Sequence, residues 1–378
     1  MVNVDMITYV NYTDMNGRSY KGPETFHIAN ALRDEGILDC VYVRDYKDVK
    51  NPASYPIHKI GSFIPKCRTF IDQYIIHKEK GREKSQLEFD KKVSQYIQGE
   101  VVLGLAGLPL CAKACKESGG KLIVFSTSSH PKSHQRIMEK ETGKKIPLTE
   151  MENHICGVYE MADLILTRSP FNTKTLVENG IDKNKIKIIW NGVNLEKFNV
   201  GEKQDDIFRV LFIANFGILK GLQYLLKAWD NLNLPNSELL VLGKQMDDTS
   251  DILSKYNKEW RAKHNVAYLG HQNPVVHYQN SSIVVLPSLT EGSPMVLLEA
   301  MACGKPTIAF ENSASPAKLS GFIVPNRDVD ALAKNIKWFY DNPESLRKAG
   351  ILARQEAEQY SYKAYTKKIM EEIKNVIK

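Results

Sequence analysis

At 378 residues the chain exceeds what one ordinary hydrophobic core accommodates and suits two domains. Its 43% apolar and 25% charged residues are those of a soluble globular protein. A net charge of +7 fits an anionic small ligand or an acidic membrane surface, and no module for nucleic acid is visible. The six cysteines are scattered. Cys111 and Cys115 stand one helical turn apart with no second pair to complete a zinc site, so buried thiols in a reducing compartment are expected. The start, 1-MVNVDMITYV-10, carries Asp5 and no basic leader region, and the apolar run 101-VVLGLAGLPLCA-112 is too short and glycine-rich to span a bilayer. A cytoplasmic protein is expected.

In chain order, strand 4–10 leads through a loop with Gly17 and Gly22 into a helix from Pro23 to about Glu35, then strand 38–44. The segment Lys47–Gln98 is polar, basic and aromatic. Strand 100–106 precedes a helix ending at 119-GG-120. Strand 121–126 follows, then a polar loop with His130 and a helix from about Ser133 to Glu141. A helix over 150–162, strand 163–167, a helix after Ser169 and strand 185–190 close the first half. The charged stretch 191–206 reads as a linker. The alternation restarts with strand 208–214, a helix after Gly221, strand 238–243, a helix around 251–263, strand 266–270 and strand 283–286. A helix headed by Ser293 and Pro294, strands 306–310 and 321–325, and helices to the C-terminus complete the chain. Alternating β and α units predict two Rossmann-like, doubly wound parallel-sheet domains of the α/β class facing a cleft. The expected domains are 1–195 and 196–361, with a helix over about 362–378 packing back on the first.

The most informative stretch is 291-EGSPMVLLEA-300 after the apolar run 283-IVVL-286. Ile283–Leu286 reads as a strand buried on both faces. Ser293 is a good helix cap and Pro294 a good first helical residue. Glu291 then lies on a loop at the carboxyl end of a parallel strand, where open α/β sheets bind ligands. Glu299 lies about a turn and a half into the helix. The amides of Met295 and Val296 favour an anion between the two carboxylates, which can accept hydroxyl hydrogens on either side. A diphosphate with hydroxyls at both ends is a nucleotide sugar. In 212-FIANFGILKGLQYLLKAW-229, Gly217 lies in a loop and Lys220-Gly221 stands at a helix start, a placement suited to a diphosphate.

Four segments together resemble the family 4 retaining glycosyltransferases (glycosyl transferases group 1), which have the GT-B fold. They are 169-SPFNTKTLVENGIDKNKIKIIWNGVNLEKF-198, 212-FIANFGILKGLQYLLKAW-229, 266-VAYLG-270 and 285-VLPSLTEGSPMVLLEAMACGKPTIA-309. The resemblance implies transfer of a sugar from a nucleoside diphosphate sugar, with UDP expected on frequency, to a glycan or lipid-linked acceptor in cell-surface polysaccharide or glycoconjugate synthesis. It implies retained anomeric configuration, no metal and no cofactor. Carried over by position, Glu291, with Gly292 and Ser293 on its loop, would hold the donor sugar, Met295 and Val296 the diphosphate, Glu299 the ribose, and Lys220 the phosphates. His130, with His134 as a competitor, would contact the sugar near the reacting carbon. The loop of Gly17 and Gly22 would approach the diphosphate or acceptor.

Two departures stand out. The family's arginine five residues before the phosphate lysine is Asn215 here, which leaves its task to another cation, Lys244 or Arg168, or to none. Ser293 and Pro294 replace the common Phe-Gly. A basic, aromatic stretch over 66–84 is either a membrane-surface element, making the protein peripheral at the membrane, or a helix packed on the first core. The competing functions are a nucleotide-sugar epimerase on the same fold and a non-catalytic partner subunit.

Overall fold

The computed structural model describes residues 7–14, 22–45, 57–59, 78–98, 101–313, 316–317 and 319–377. By internal contacts the chain divides into two compact units, one of 1–135, 147–189 and 365–378, the other of 136–146 and 190–364. The division falls at Ile189/Trp190, ahead of the 195/196 boundary read from the linker, and residues 136–146 group with the second unit.

The first unit holds a parallel sheet, seven-stranded among the described residues, in the order β3-β2-β1-β4-β5-β6-β7. Its strands are β1 Ile7–Asp14, β2 Leu38–Asp45, β3 Ile57–Lys59, β4 Val101–Leu105, β5 Lys121–Phe125, β6 Leu164–Thr167 and β7 Ile186–Ile188. β4, β5 and β6 are apolar runs covered on both faces, and their inward residues, among them Leu103, Ile123 and Ile165, are fully buried. Two elements, β3 and the helix Lys78–Ser94, fall inside the polar, basic and aromatic segment Lys47–Gln98, to which the sequence assigned no strand and a helix only as one reading of 66–84. That helix is charge-rich and is held by few apolar residues, chiefly the fully buried Phe89 and Val93. Its buried Asp90 also accepts from the amides of Leu110 and Cys111, the first turn of the helix Pro109–Glu117. A carboxylate thus caps a neighbouring helix that has no side-chain cap of its own.

The second unit repeats the plan with β8 Phe208–Ile213, β9 Ser237–Leu242, β10 Val266–Gly270, β11 Ile283–Leu286, β12 Thr307–Phe310 and β13 Gly321–Val324. These pair in parallel in the order β10-β9-β8-β11-β12-β13. The helix expected around 251–263 divides into Ser250–Leu253 and Lys258–Lys263, because Asn257 turns extended and caps the second piece by accepting from the Trp260 amide. A helix not anticipated from the sequence, Pro274–Asn280, starts at an Asn-Pro pair, with Asn273 as cap and Pro274 at its first position.

Candidate donor-binding site

β8 and β11 lie side by side although β9 and β10 separate them in sequence. The chain leaves β8 toward one edge of the sheet and β11 toward the other, so the loops at their carboxyl ends part and open a crevice. The loop after β8 runs from Ala214 to Gly221; the loop after β11 runs from Pro287 to Pro294.

Gly221 lets the two loops approach. It sits at φ +74°, and a Cβ there would fall 1.8 Å from the Pro287 carbonyl oxygen. Only glycine satisfies both the left-handed backbone and the contact. The Leu219 carbonyl then accepts from the Leu289 amide at 2.8 Å and the Ser288 hydroxyl at 3.0 Å. So clamped, the loops bring Lys220 and Glu291 together: the ammonium donates to Glu291 Oε1 at 2.5 Å. The lysine side chain is 34% exposed and the glutamate 13%.

The helix Met295–Ala302 begins beside this pair. Its cap is Pro294, which offers no side-chain acceptor, and Ser293 is not the cap that the sequence predicts. Pro294 takes an extended backbone and its carbonyl accepts from the Leu297 amide, which moves the helix start to Met295 and leaves Ser293 one residue too far back. The Ser293 hydroxyl is buried without a hydrogen-bond partner among the described residues. Met295 and Val296 therefore head an uncapped helix, the arrangement that receives an anion. Further along this helix, Glu299 Oε2 accepts at 2.9 Å from the hydroxyl of Tyr278, which lies on the helix Pro274–Asn280. Burial raises the Glu299 carboxyl to about 7, against the opposing pull of the Tyr278 hydroxyl and the Lys197 charge. Glu299 is not the solvated surface residue that a lone glutamate on a helix suggests.

Asn215 and Lys244 are exposed, and their contact is through the backbone: Asn215 Oδ1 accepts from the Lys244 amide at 3.3 Å. Gly217 lies against Asp248, whose Oδ2 accepts from the Ile218 amide at 3.1 Å. Asp248 and Tyr278 support the site from loops and helices distant in sequence, and no motif spacing points to either. Gly292 is buried in the loop after β11.

In the first unit, His130 is 2% exposed. Its amide donates to Thr175 Oγ1, its Nδ1 accepts from the Lys132 amide, and its ring lies 5.9 Å from that of Tyr159. It is an enclosed histidine, not a water-washed one. His134 lines a cavity of about 340 Å³ at the carboxyl ends of β4 and β5, with Gln86, Thr127, Glu152 and Tyr159. Arg168 is buried, donates to the Tyr365 hydroxyl at 2.8 Å and lies over the Phe125 and Tyr365 rings. It is committed to the first unit's interior, which argues against the phosphate role weighed for it. Gly22 opens the helix Gly22–Asp34. Gly17 and residues 66–77 of the basic stretch lie outside the described residues. No helix among the described residues is long and apolar enough to cross a membrane.

Residues 193–356, which contain the whole crevice, match the family described as Glycosyl transferases group 1. The match covers less than half of the chain, and over it the second unit is similar to the group 1 glycosyl transferases. An uncharacterized glycosyltransferase of Haemophilus influenzae is 30% identical over 212 residues, 54% of this chain and 58% of the relative. The Escherichia coli UDP-Gal:α-D-GlcNAc-diphosphoundecaprenol α-1,3-galactosyltransferase is 28% identical over 171 residues, 40% of this chain and 44% of the relative. The chain spans about half the length of the curated relatives it matches. The fold agrees over nearly the whole chain with the sucrose-phosphate synthase of Thermosynechococcus elongatus, at a TM-score of 0.74 and 17% identity, covering 98% of this chain and 99% of that one. The chain has the GT-B fold.

Proposed function

We propose that the protein moves a sugar from a UDP-sugar to a glycan or lipid-linked acceptor with retention of configuration, in cell-surface polysaccharide or glycoconjugate synthesis. The observation that carries this reading is the Lys220–Glu291 pair at the head of an uncapped helix, with the Glu299 carboxyl inside that helix. The name of the Escherichia coli relative, which joins a UDP-sugar to a lipid-diphosphate acceptor, supports the donor and acceptor classes.

In this mechanism the bond from the anomeric carbon to phosphate breaks while negative charge gathers on the departing diphosphate. Lys220 and the amides of Met295 and Val296 meet that charge in place, so no metal is required. Gly217 and Asn215 lie on the phosphate side of the loop, with Lys244 beside them. Glu291 holds the sugar hydroxyls once a phosphate draws Lys220 away from it, and Glu299 accepts from the ribose. The acceptor hydroxyl attacks from the face the phosphate leaves, and the phosphate takes its proton. The polar cavity of His134 and Glu152 in the first unit is where the acceptor would enter. Such a protein works at the membrane surface when its acceptor is a lipid, and the composition of 66–84 fits that placement.

The test is UDP release from a panel of UDP-sugars with and without an undecaprenyl-diphosphate-linked acceptor. Acceptor-dependent release that survives EDTA is expected. Loss of turnover in EDTA with recovery on manganese overturns metal independence. Free UDP released without any acceptor supports an epimerase instead, and no release with any donor supports the non-catalytic reading that Asn215 favours.

A further inference from the structure

A second concave surface lies in the second unit, at the end of its sheet away from the Lys220–Glu291 pair. It forms where the chain enters β11 and β12, at Ser281, Ser282 and Pro306, and the helix Pro343–Glu358 covers it. Its volume is about 690 Å³. Four cations line it, Lys203, Lys305, Arg347 and Arg354, against the single carboxylate of Glu358.

Three of the cations have partners. Lys203 pairs with Asp205 at 3.0 Å, Arg347 with Glu344 at 3.0 Å, and Arg354 with Glu358 at 3.0 Å. Arg354 also donates to the carbonyls of Phe198 and Ala302. Lys305 differs. It is half-buried, and among the described residues its ammonium has neither hydrogen bond nor ion pair. Burial lowers it to about 8, with Lys203 acting in the same direction and Cys303 against it. A cation held partly out of water without an anion costs stability, and that cost falls when an anion joins it.

Two further features face the same space. The sixteen-residue helix Pro343–Glu358 begins at its rim, and its cap, Asn342, makes no side-chain hydrogen bond to the first turn. Exposed apolar side chains also line the wall, Val200 at 60% and Ile351 at 49%. The floor is closely packed: Gly304 and Gly350 bring two backbones together, and a Cβ on Gly350 would lie 2.6 Å from the Gly304 carbonyl oxygen.

We propose that this cavity binds a small phosphomonoester, its phosphate on Lys305 and the head of the helix Pro343–Glu358, its body against Val200 and Ile351. The site is distinct from the donor crevice. Lys305 follows the C-terminal end of the helix Met295–Ala302, whose opposite end heads the crevice, and eight residues span about 12 Å. The proposal is independent of the transferase reading.

The probe is inorganic phosphate, measured by thermal melting of the full chain against chloride of matched ionic strength, with calorimetry for affinity. Wild type should melt higher in phosphate. Lys305→Met should melt at or above wild type in chloride, having lost an unpaired cation, and should bind phosphate about tenfold or more weakly. Lys220→Ala should keep the full phosphate gain, because the donor crevice is elsewhere. A gain shared equally by wild type and Lys305→Met is general salt stabilisation and overturns the site. So does a wild type that gains nothing, or a gain lost in Lys220→Ala. Sedimentation with vesicles of phosphatidic acid in phosphatidylcholine identifies the source. Lys305-dependent pelleting assigns the phosphate to a lipid headgroup, and phosphate protection without pelleting assigns it to a free metabolite.

Discussion

The Lys220 ammonium and the Glu291 carboxylate, 71 residues apart in sequence, form an ion pair at 2.5 Å across two loops that Gly221 holds together. The group proposed to hold the sugar therefore neutralises the group proposed to meet the diphosphate. Removing the two should have opposite effects on UDP alone. Glu291→Gln should bind UDP as well as wild type or tighter, while sugar transfer falls. Lys220→Ala should weaken UDP by about tenfold or more, since it deletes a charged hydrogen bond and leaves a bare carboxylate facing the phosphates. Calorimetry with UDP on both variants checks this. Equal weakening by both would mean that the pair acts only as a structural clamp.

Asn215→Arg should strengthen UDP binding. The position is exposed, and the bond its side chain makes, from the Lys244 amide, is long at 3.3 Å, so little is lost on replacement. An arginine brings charged, forked donors to a position that now offers only the neutral amide of Asn215. A gain of about threefold to tenfold in UDP affinity is expected, being part of one charged hydrogen bond. An unchanged affinity in a folded variant would place the phosphates away from this loop.

Glu299 ties folding stability to pH. Its carboxyl is raised from the ordinary 4.5 to about 7 by burial, so the native state holds a proton that the unfolded chain gives up. The stabilisation this gives is complete below about 4.5 and is lost as pH rises through about 7, up to about 3 kcal/mol in all. Glu299→Gln should remove that slope and melt higher than wild type above pH 7. It should also weaken UDP above that pH, where the wild-type carboxylate accepts from the ribose. Urea titrations across this range compare the two chains. Parallel stability curves would show that Glu299 is not the titrating group.

Gly221→Ala and Gly36→Ala separate backbone strain from steric clash. Both glycines are left-handed, at φ +74° and +71°. Among the described residues a Cβ at Gly36 meets nothing within 4 Å, whereas at Gly221 it meets the Pro287 carbonyl at 1.8 Å. Gly36→Ala should cost about 1 kcal/mol, the strain alone. Gly221→Ala should cost several times that and lose UDP binding, because the loops must part and the Lys220–Glu291 pair with them. Similar melting shifts for the two would show that the loops are free to move apart.

Much of this was legible in the sequence, and the limits have physical causes. Buried parallel strands such as Ile283–Leu286 are written as continuous β-branched runs, because both faces meet apolar partners, and their alternation with amphipathic helices reveals the fold class. The places of Lys220, Glu291 and Glu299 in the fold were legible because they depend on local chain: a strand end, a loop and a helix start. The helix Lys78–Ser94 was not legible, since charged residues dominate its sequence and only its packing partners make it a helix in context. The cap at Pro294 was misread because local preference favoured Ser293, while the backbone taken by the proline shifted the helix start.

The sequence by itself determined most of the alternation of strands and helices, the two α/β units and the identity of the residues at the carboxyl ends of β8 and β11. Only the tertiary structure decided that Lys220 is paired with Glu291, that Tyr278 holds Glu299, that Asp248 steadies the loop of Gly217, and that Lys305, among the described residues, stands without a partner beside three cations that have them. Each of these depends on which side chains meet after residues distant in the chain are packed together, and on how much water that packing removes. Neither distance nor desolvation is carried by local spacing.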